Sequence, residues 1–285
     1  MNYDLNKLIA LLTVQPIGED RFRGDNMPSK RQAVFGGQVA AQALSSAIQC
    51  TDESRIPHSM HCYFLRPGDT EQPIEYHVVR VRDGGSFSVR HVTAKQGDKA
   101  IFVAIVSLQV PEKGLEHQQA PPVMVPRDKM ITDSEFWRRV QEEHPALVYL
   151  WPENYTAIDI LSDFRTGVDA PEPQEPVQSL WCRANGSIVK TTDHLLIVAF
   201  QSDMLFLNTA LHAHPYTLIN PAVQAASLDH SIWFYGDVDA TEWLYYDMYS
   251  PVSSSGRGLN HGYFYTESGR LVAATTQEGL MRVRH

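Results

Sequence analysis

Apolar positions along the chain keep two rhythms, one helical and one strand-like, and the pair of rhythms occurs twice. Leu5, Leu8, Ile9 and Leu12 follow Asp4 at helical spacing, which predicts a short amphipathic helix with Asp4 as its cap. From 32 to 49, Val39, Ala40, Ala43, Leu44, Ala47 and Ile48 again recur as on one helix, starting near Gln32. Its alanines make it thin, so other elements can approach closely. Strand-like runs follow at 58–65, 74–81, 87–94 and 100–110. Arg66-Pro-Gly-Asp69, Asp83-Gly-Gly85 and Gly97-Asp98 are the turns between them.

The second half repeats the plan. A helix opens with Asp193 as N-cap and runs to Phe206, apolar on almost every face and therefore buried. Strands are predicted at 227–235, 243–249, 256–265 and 271–281, with turns at Gly236-Asp237 and Ser268-Gly269. At a shift of 169 residues His61 falls on His230, Phe64 on Trp233 and Leu65 on Phe234. One helix followed by four antiparallel strands, met twice, means two copies of one unit packed together. The arrangement that buries both is a helix wrapped by a curved antiparallel sheet, present twice: an α+β fold of the double-hotdog kind. Joined edge to edge, the copies form one long sheet and protect their edge strands.

Between the copies, composition shifts. Pro111, Pro121, Pro122 and Pro126 crowd one loop and Pro171, Pro173 and Pro176 another, around a polar helix at 134–143. Proline at this density resists packing into helix or sheet. The span reads as a surface connection crossing one face, with strands at 156–164 and 178–184 opening the second half. The predicted division is 1–115, 116–177 and 178–285.

Charge and cysteines narrow the function. Net charge is −9, from 24 Lys and Arg against 33 Asp and Glu, with no long basic run, so no nucleic-acid partner is expected. A local group of Arg can still hold an anionic small molecule. Cys50, Cys62 and Cys182 make no paired framework, which favours a reducing compartment, here the cytoplasm. No run is long and apolar enough for a membrane span. The N-terminal segment lacks the basic start and small-residue cleavage site of a signal peptide, and Arg282-Val-Arg-His285 does not match a peroxisomal ending.

One residue breaks the apolar pattern of the second helix. Asp203 has no Lys or Arg three or four positions away and stands at the negative end of the helix dipole. A buried carboxylate there costs free energy unless it is hydrogen-bonded, protonated or used. Ser227 opens the strand after it and Gln277 lies in the last strand. If the strands wrap the helix, all three converge. A carboxylate, a hydroxyl and an amide can hold one water from three sides, the carboxylate as general base and the others fixing its approach. No His is placed by sequence to activate Ser227, so it reads as a water positioner. No His-Glu-x-x-His or Cys-rich spacing is present, so neither a metal nor another cofactor is expected. Each residue also has a plainer role: Ser227 as a strand-start hydroxyl, Gln277 as an exposed strand residue, Asp203 as partner to a backbone amide or an Arg.

Gly36, Gly37 and Gln38, in Val34-Phe-Gly-Gly-Gln38, open the first helix, where backbone N–H groups can meet anions or carbonyl oxygens. Tight helix packing explains the glycines equally well. His58 can face a cleft, and Arg257, among small residues at 253–258, can meet phosphate. A structural histidine and a solvated surface arginine are the alternatives. Asp229 and His230 can support Ser227.

These stretches carry a resemblance. Val34-Phe-Gly-Gly-Gln-Val39, His61-Cys-Tyr-Phe-Leu-Arg-Pro-Gly-Asp69, Leu228-Asp-His-Ser-Ile-Trp-Phe234 and Thr276-Gln-Glu-Gly-Leu-Met-Arg282 resemble the acyl-CoA thioesterase II family, in order and over nearly the whole chain. The resemblance implies a double hotdog, hydrolysis of fatty acyl-CoA to free acid and CoA, and assembly as a homodimer or homotetramer. It also implies a trio of Asp, Thr or Ser, and Gln that orients the attacking water, matching Asp203, Ser227 and Gln277. Bacterial members typically carry Thr where this chain has Ser227. An apolar channel beside the second helix would take the acyl chain, and Arg or Lys near the surface the CoA phosphates. Two other functions stay open: an enoyl-CoA hydratase on the same fold, though no Asp-x-Asn-Pro-x-His-like segment is seen, and a non-catalytic acyl-CoA binder.

Overall fold

The computed structural model describes residues 3–28, 33–144, 155–163, 172–218 and 220–284. The predicted helix start at Gln32, the strand end at Phe164 and Pro171 lie outside these. Helix α1 (Leu5–Leu12) is capped as expected, the Asp4 side chain accepting the Lys7 N–H at 3.1 Å, and buries Leu5, Leu8 and Leu12. A short hairpin, β1 (Gln15–Gly18) and β2 (Arg21–Gly24), follows and was not predicted. Its four-residue strands are too short to show a period, and one turn residue, Asp20, takes a positive φ of 50°.

Helix α2 (Gly36–Gln49) is buried on nearly every face. Strands β3 (Ile56–Phe64), β4 (Ile74–Asp83), β5 (Phe87–Gln96) and β6 (Lys99–Gln109) wrap it. A 3-10 turn, β7 (Ile131–Thr132), α3 (Asp133–Glu143), β8 (Ile158–Ser162) and β9 (Val177–Ala184) lead into the second half. Helix α4 (Thr191–Gln201) starts before the predicted cap and stops short of the predicted end at Phe206. Lys190 stands at its cap position, Asp193 lies in its first turn, and the helix stops before Asp203. The short helix α5 (Asn208–Leu211) and strands β10 (Val223–Ser227), β11 (Asp229–Phe234), β12 (Leu244–Ser254), β13 (Arg257–Thr266) and β14 (Leu271–Val283) complete the chain.

All the described strands join one antiparallel sheet in the order β1-β2-β4-β5-β6-β3-β11-β14-β13-β12-β9-β8-β7, with β10 also on β14. The halves meet at β3 and β11, where Cys62 faces His230 and His61 faces Ser231. The structural repeat is 170 residues, not 169. At 170, the fully buried Tyr76 falls on the fully buried Tyr246, and buried Cys62 on buried Ile232. A shift of 169 sets exposed His61 on buried His230, and one residue of slip exchanges the faces of a strand.

Helices α2 and α4 lie against each other inside the curve. They approach so closely that a Cβ on Gly37 would stand 2.4 Å from the Phe200 carbonyl oxygen. Outside, the chain at 118–130 straps the second half of the sheet. Trp181 Nε1 donates to Val125 O at 2.8 Å, and Met124, Val125 and Met130 pack with Trp181, Tyr245 and Tyr265. Through β7 and β8 this part of the chain also extends the sheet. The outer face of the first half is open, with Tyr63, Val79, Val81, Phe87 and Ile105 exposed. No described helix is long and apolar enough to cross a membrane.

Candidate active site

The turn that ends α4 meets the start of α2. Asp203 is half-buried in that turn, just before Leu205 with its positive φ of 58°. Its Oδ2 accepts the Gly37 N–H at 2.9 Å. The partner missing from its own helix is therefore the first turn of the other repeat's helix, whose positive dipole end suits a carboxylate. Gly36 leaves room for this: a Cβ there would lie 2.7 Å from Asp203 Oδ2.

On the other oxygen, Asp203 Oδ1 accepts Gln277 Nε2 at 2.8 Å and Ser227 Oγ at 3.4 Å. Gln277 Nε2 also donates to Ser227 Oγ at 2.5 Å. The structure brings Asp203, Ser227 and Gln277 together as one hydrogen-bonded set. Gln277 is fully buried rather than an exposed strand residue, because β14 turns its odd-numbered positions from 275 to 279 towards the helices.

Ser227 reaches this face through a break in its strand. Ser227 opposes Gly279 and Ser231 opposes Thr276, so the chain carries one residue more than β14 between those rungs. Such a bulge reverses which face a side chain takes. Along an unbroken strand Ser227 would share the outer face of Ser231 and Trp233; the extra residue turns it inward. Asp229 holds the bulge by accepting the Glu278 N–H at 2.9 Å. Burial raises its carboxyl above the usual range.

Below the Asp203 turn lies a buried polar set, of whose members only His230 was expected near Ser227. Tyr246 donates from its hydroxyl to Ser202 O at 2.9 Å and lies 2.9 Å from Thr275 Oγ1. Ser202 Oγ donates to Ala199 O and lies 2.9 Å from His230 Nε2. With the hydroxyl proton taken by Ala199 O, the ring nitrogen facing Ser202 carries the hydrogen, and Nδ1 has no partner. Burial lowers the His230 pKa to about 4. Strand alternation is the sequence signal for Tyr246 and Thr275, and the bulge hides the phase of His230 alone.

The structure does not bring Gln38, His58 or Arg257 to the trio. Gln38 is 1% exposed; its amide accepts from Met27 N and donates to Asp25 O and Asn26 Oδ1, pinning the chain before α2. His58 bonds Ser107 Oγ at 2.8 Å on the outer face of the sheet, edge-on to Phe87. Arg257 pairs with Glu278 at 2.9 Å on that same outer face. One residue per strand decides these faces, and the sequence alone did not fix the register of β3 or β13.

The first repeat is built differently at the matching rung. Where β13 and β14 oppose Asn260 and Gln277, β5 and β6 oppose Arg90 and Val106. The buried Arg90 guanidinium donates to Cys50 O, Arg82 O and the Asp83 carboxylate, beside a cavity of about 440 Å³.

Comparison with known proteins gives the same outline. The model of the acyl-CoA thioesterase family matches residues 173–280, and that of the acyl-CoA thioesterase N-terminal domain matches 24–109. The chain is 36% identical to acyl-CoA thioesterase 2 of Haemophilus influenzae, over 98% of each chain. It is 34% identical to human acyl-coenzyme A thioesterase 8, over 99% of this chain and 91% of that one. The crystal structure of acyl-CoA thioesterase II TesB2 from Mycobacterium marinum superposes with a TM-score of 0.77 at 34% identity, covering 96% of this chain and 97% of that one. Sheet, repeat and likeness define the class, a double-hotdog thioester hydrolase. The chain belongs to the acyl-CoA thioesterase II family.

Proposed function

We propose that this chain hydrolyses fatty acyl-CoA thioesters to free acid and CoA, using a water held by Asp203, Ser227 and Gln277. The observation that carries the reading is the convergence on one carboxylate of Gly37 N–H, Gln277 Nε2 and Ser227 Oγ, from three separate elements. A carboxylate is an acceptor-only group, and these donors fix its plane.

In the proposed reaction Asp203 takes a proton from the water as its oxygen attacks the thioester carbonyl carbon. Ser227 and Gln277 fix the line of attack. The tetrahedral intermediate collapses with loss of the carbon–sulfur bond, and the proton passes to the leaving thiolate to give CoA thiol. Gly37 N–H is engaged by Asp203, so the Gly36 N–H is the donor we assign to the developing oxyanion. The acyl chain is assigned to the apolar space beside α4. Assembly as a homodimer or homotetramer, a cytoplasmic location and the division at 115/116 and 177/178 belong to the same proposal.

A thiol-release assay with palmitoyl-CoA tests it. Turnover is expected in the native chain, and Asp203→Asn, nearly the same shape, should keep the circular dichroism spectrum and lose about a thousandfold in kcat. An Asp203→Asn variant as active as the parent removes the assignment. Hydration of crotonyl-CoA without thiol release would point to the hydratase instead.

A further inference from the structure

Asn260 is an anomaly of the inner sheet face. It is fully buried on β13, and neither its Oδ1 nor its Nδ2 has a hydrogen-bond partner in the protein. Native interiors leave few such groups, and each calls for a reason. Directly across the β13–β14 ladder stands Gln277. Opposed residues point to the same side of a sheet, with Cβ atoms about 5 Å apart.

Gln277 turns its Nε2 towards Asp203 and Ser227, so its Oε1 points away from them. That Oε1 is also buried and without a partner. Three unmatched polar atoms therefore share one rung. The inward neighbours of Asn260 along its own strand are Gly258 and Gly262. They are overlain by Ala210, Met281 and the Tyr246 ring, whose hydroxyl is engaged with Ser202 and Thr275. On the matching rung of the first repeat, Arg90 is hydrogen-bonded throughout and faces a valine. The matching rung of the first repeat has no amide pair.

We propose that Asn260 is a positioning residue for Gln277, its Nδ2 holding Gln277 Oε1 through one buried water. A carboxamide can turn over, and a reversed Gln277 would set Oε1 against the Asp203 carboxylate, acceptor against acceptor. A water that accepts from Asn260 Nδ2 and donates to Gln277 Oε1 favours the unreversed orientation. A water at this rung has Gln277 Oε1 and both amide atoms of Asn260 as partners, within the two to four that hold buried waters. The inference rests on the trio reading and adds the residue that sets its amide.

The test uses the full chain with palmitoyl-CoA. Asn260→Leu removes both polar atoms at similar volume, and Asn260→Val, at home in a strand, is the second variant should leucine not fold. Either is expected to lower kcat about 10- to 100-fold with KM within about twofold, and to leave the melting temperature unchanged or higher. Asn260→Ser keeps a donor for the water and should lose several-fold less. In a Gln277→Ala background the leucine change should add less than about twofold, because it acts through the missing amide. Parental kcat in both apolar variants, or an undiminished further loss on Gln277→Ala, overturns the role of Asn260. Asp203→Asn run alongside separates the two levels. If it turns over normally, the trio and this inference fall together; if it is inactive while the Asn260 variants are not, only the inference falls.

Discussion

Gly37 N–H donates to Asp203 Oδ2 across 2.9 Å, tying the first turn of one central helix to the turn that ends the other. The two glycines at this junction face different neighbours, so they should fail differently. A Cβ on Gly36 would meet Asp203 Oδ2 at 2.7 Å and the Phe64 ring at 3.0 Å, both side chains that can give. A Cβ on Gly37 would meet the Phe200 carbonyl oxygen at 2.4 Å, which is backbone. Gly36→Ala should fold and lose about a hundredfold in kcat by displacing the carboxylate. Gly37→Ala must part the helices, and should cost about 1–3 kcal/mol of stability as well. Thermal melts and thiol release on the pair decide this; equal melting temperatures would contradict it.

Ser227 depends on the bulge that turns it inward, and Asp229 holds that bulge through Glu278 N–H. Ser227→Thr keeps the hydroxyl and should stay within several-fold of the parent, whereas Ser227→Ala should lose about 10- to 100-fold. Asp229→Ala leaves a ladder N–H without its acceptor and should cost about 1–3 kcal/mol, with a fall in kcat as Ser227 loosens. A crystal structure of the Asp229 variant with Ser227 Oγ still on Asp203 would show that the bulge holds without it.

His230 makes stability depend on pH. Burial lowers its folded pKa to about 4, while the unfolded chain protonates near 6.5. Between those values the unfolded state binds more protons, so stability is fully present above about pH 6.5 and is lost as pH falls towards 4. The full loss is roughly 3 kcal/mol. Urea unfolding at pH 7.5 and 4.5 should show it, and His230→Gln should flatten the difference. An unchanged difference in the variant would assign the acid sensitivity to other groups.

All three thiols are buried, and burial raises each above its ordinary pKa, Cys50 to about 12. Thiolate is the reactive form. The folded chain should resist iodoacetamide at pH 8 and keep its activity, with three alkylations appearing only in denaturant. Mass spectrometry of the intact chain reads the outcome, and rapid native labelling would show an opening near a cysteine.

The larger plan was legible because long amphipathic elements leave a period in the sequence: α2, α4 and the strands of both repeats were expected near where they lie. What escaped was phase. A shift of 169 is one residue short and puts His61 and His230 in register although one faces out and the other in. The bulge before Asp229 is the same kind of event, since an inserted residue leaves the composition of a strand untouched. The types and order of Asp203, Ser227 and Gln277 point to a hydrogen-bonded set, which the structure contains, yet the Gly37 N–H that meets Asp203 comes from a distant repeat, beyond the reach of local spacing. His58 and Arg257 are chemically able side chains, and only the strand faces show that they look away from the trio. The β1–β2 hairpin was too short to leave any rhythm.

Arg90 carries a consequence for stoichiometry. At the rung where the other half opposes two amides, a guanidinium spans the end of α2 and ties it to the hairpin at 82–83. Under the proposed chemistry each polypeptide then has a single turnover centre despite its duplicated plan. Titration with a non-hydrolysable thioether analogue should saturate at one equivalent per chain, so a dimer would hold two centres rather than four.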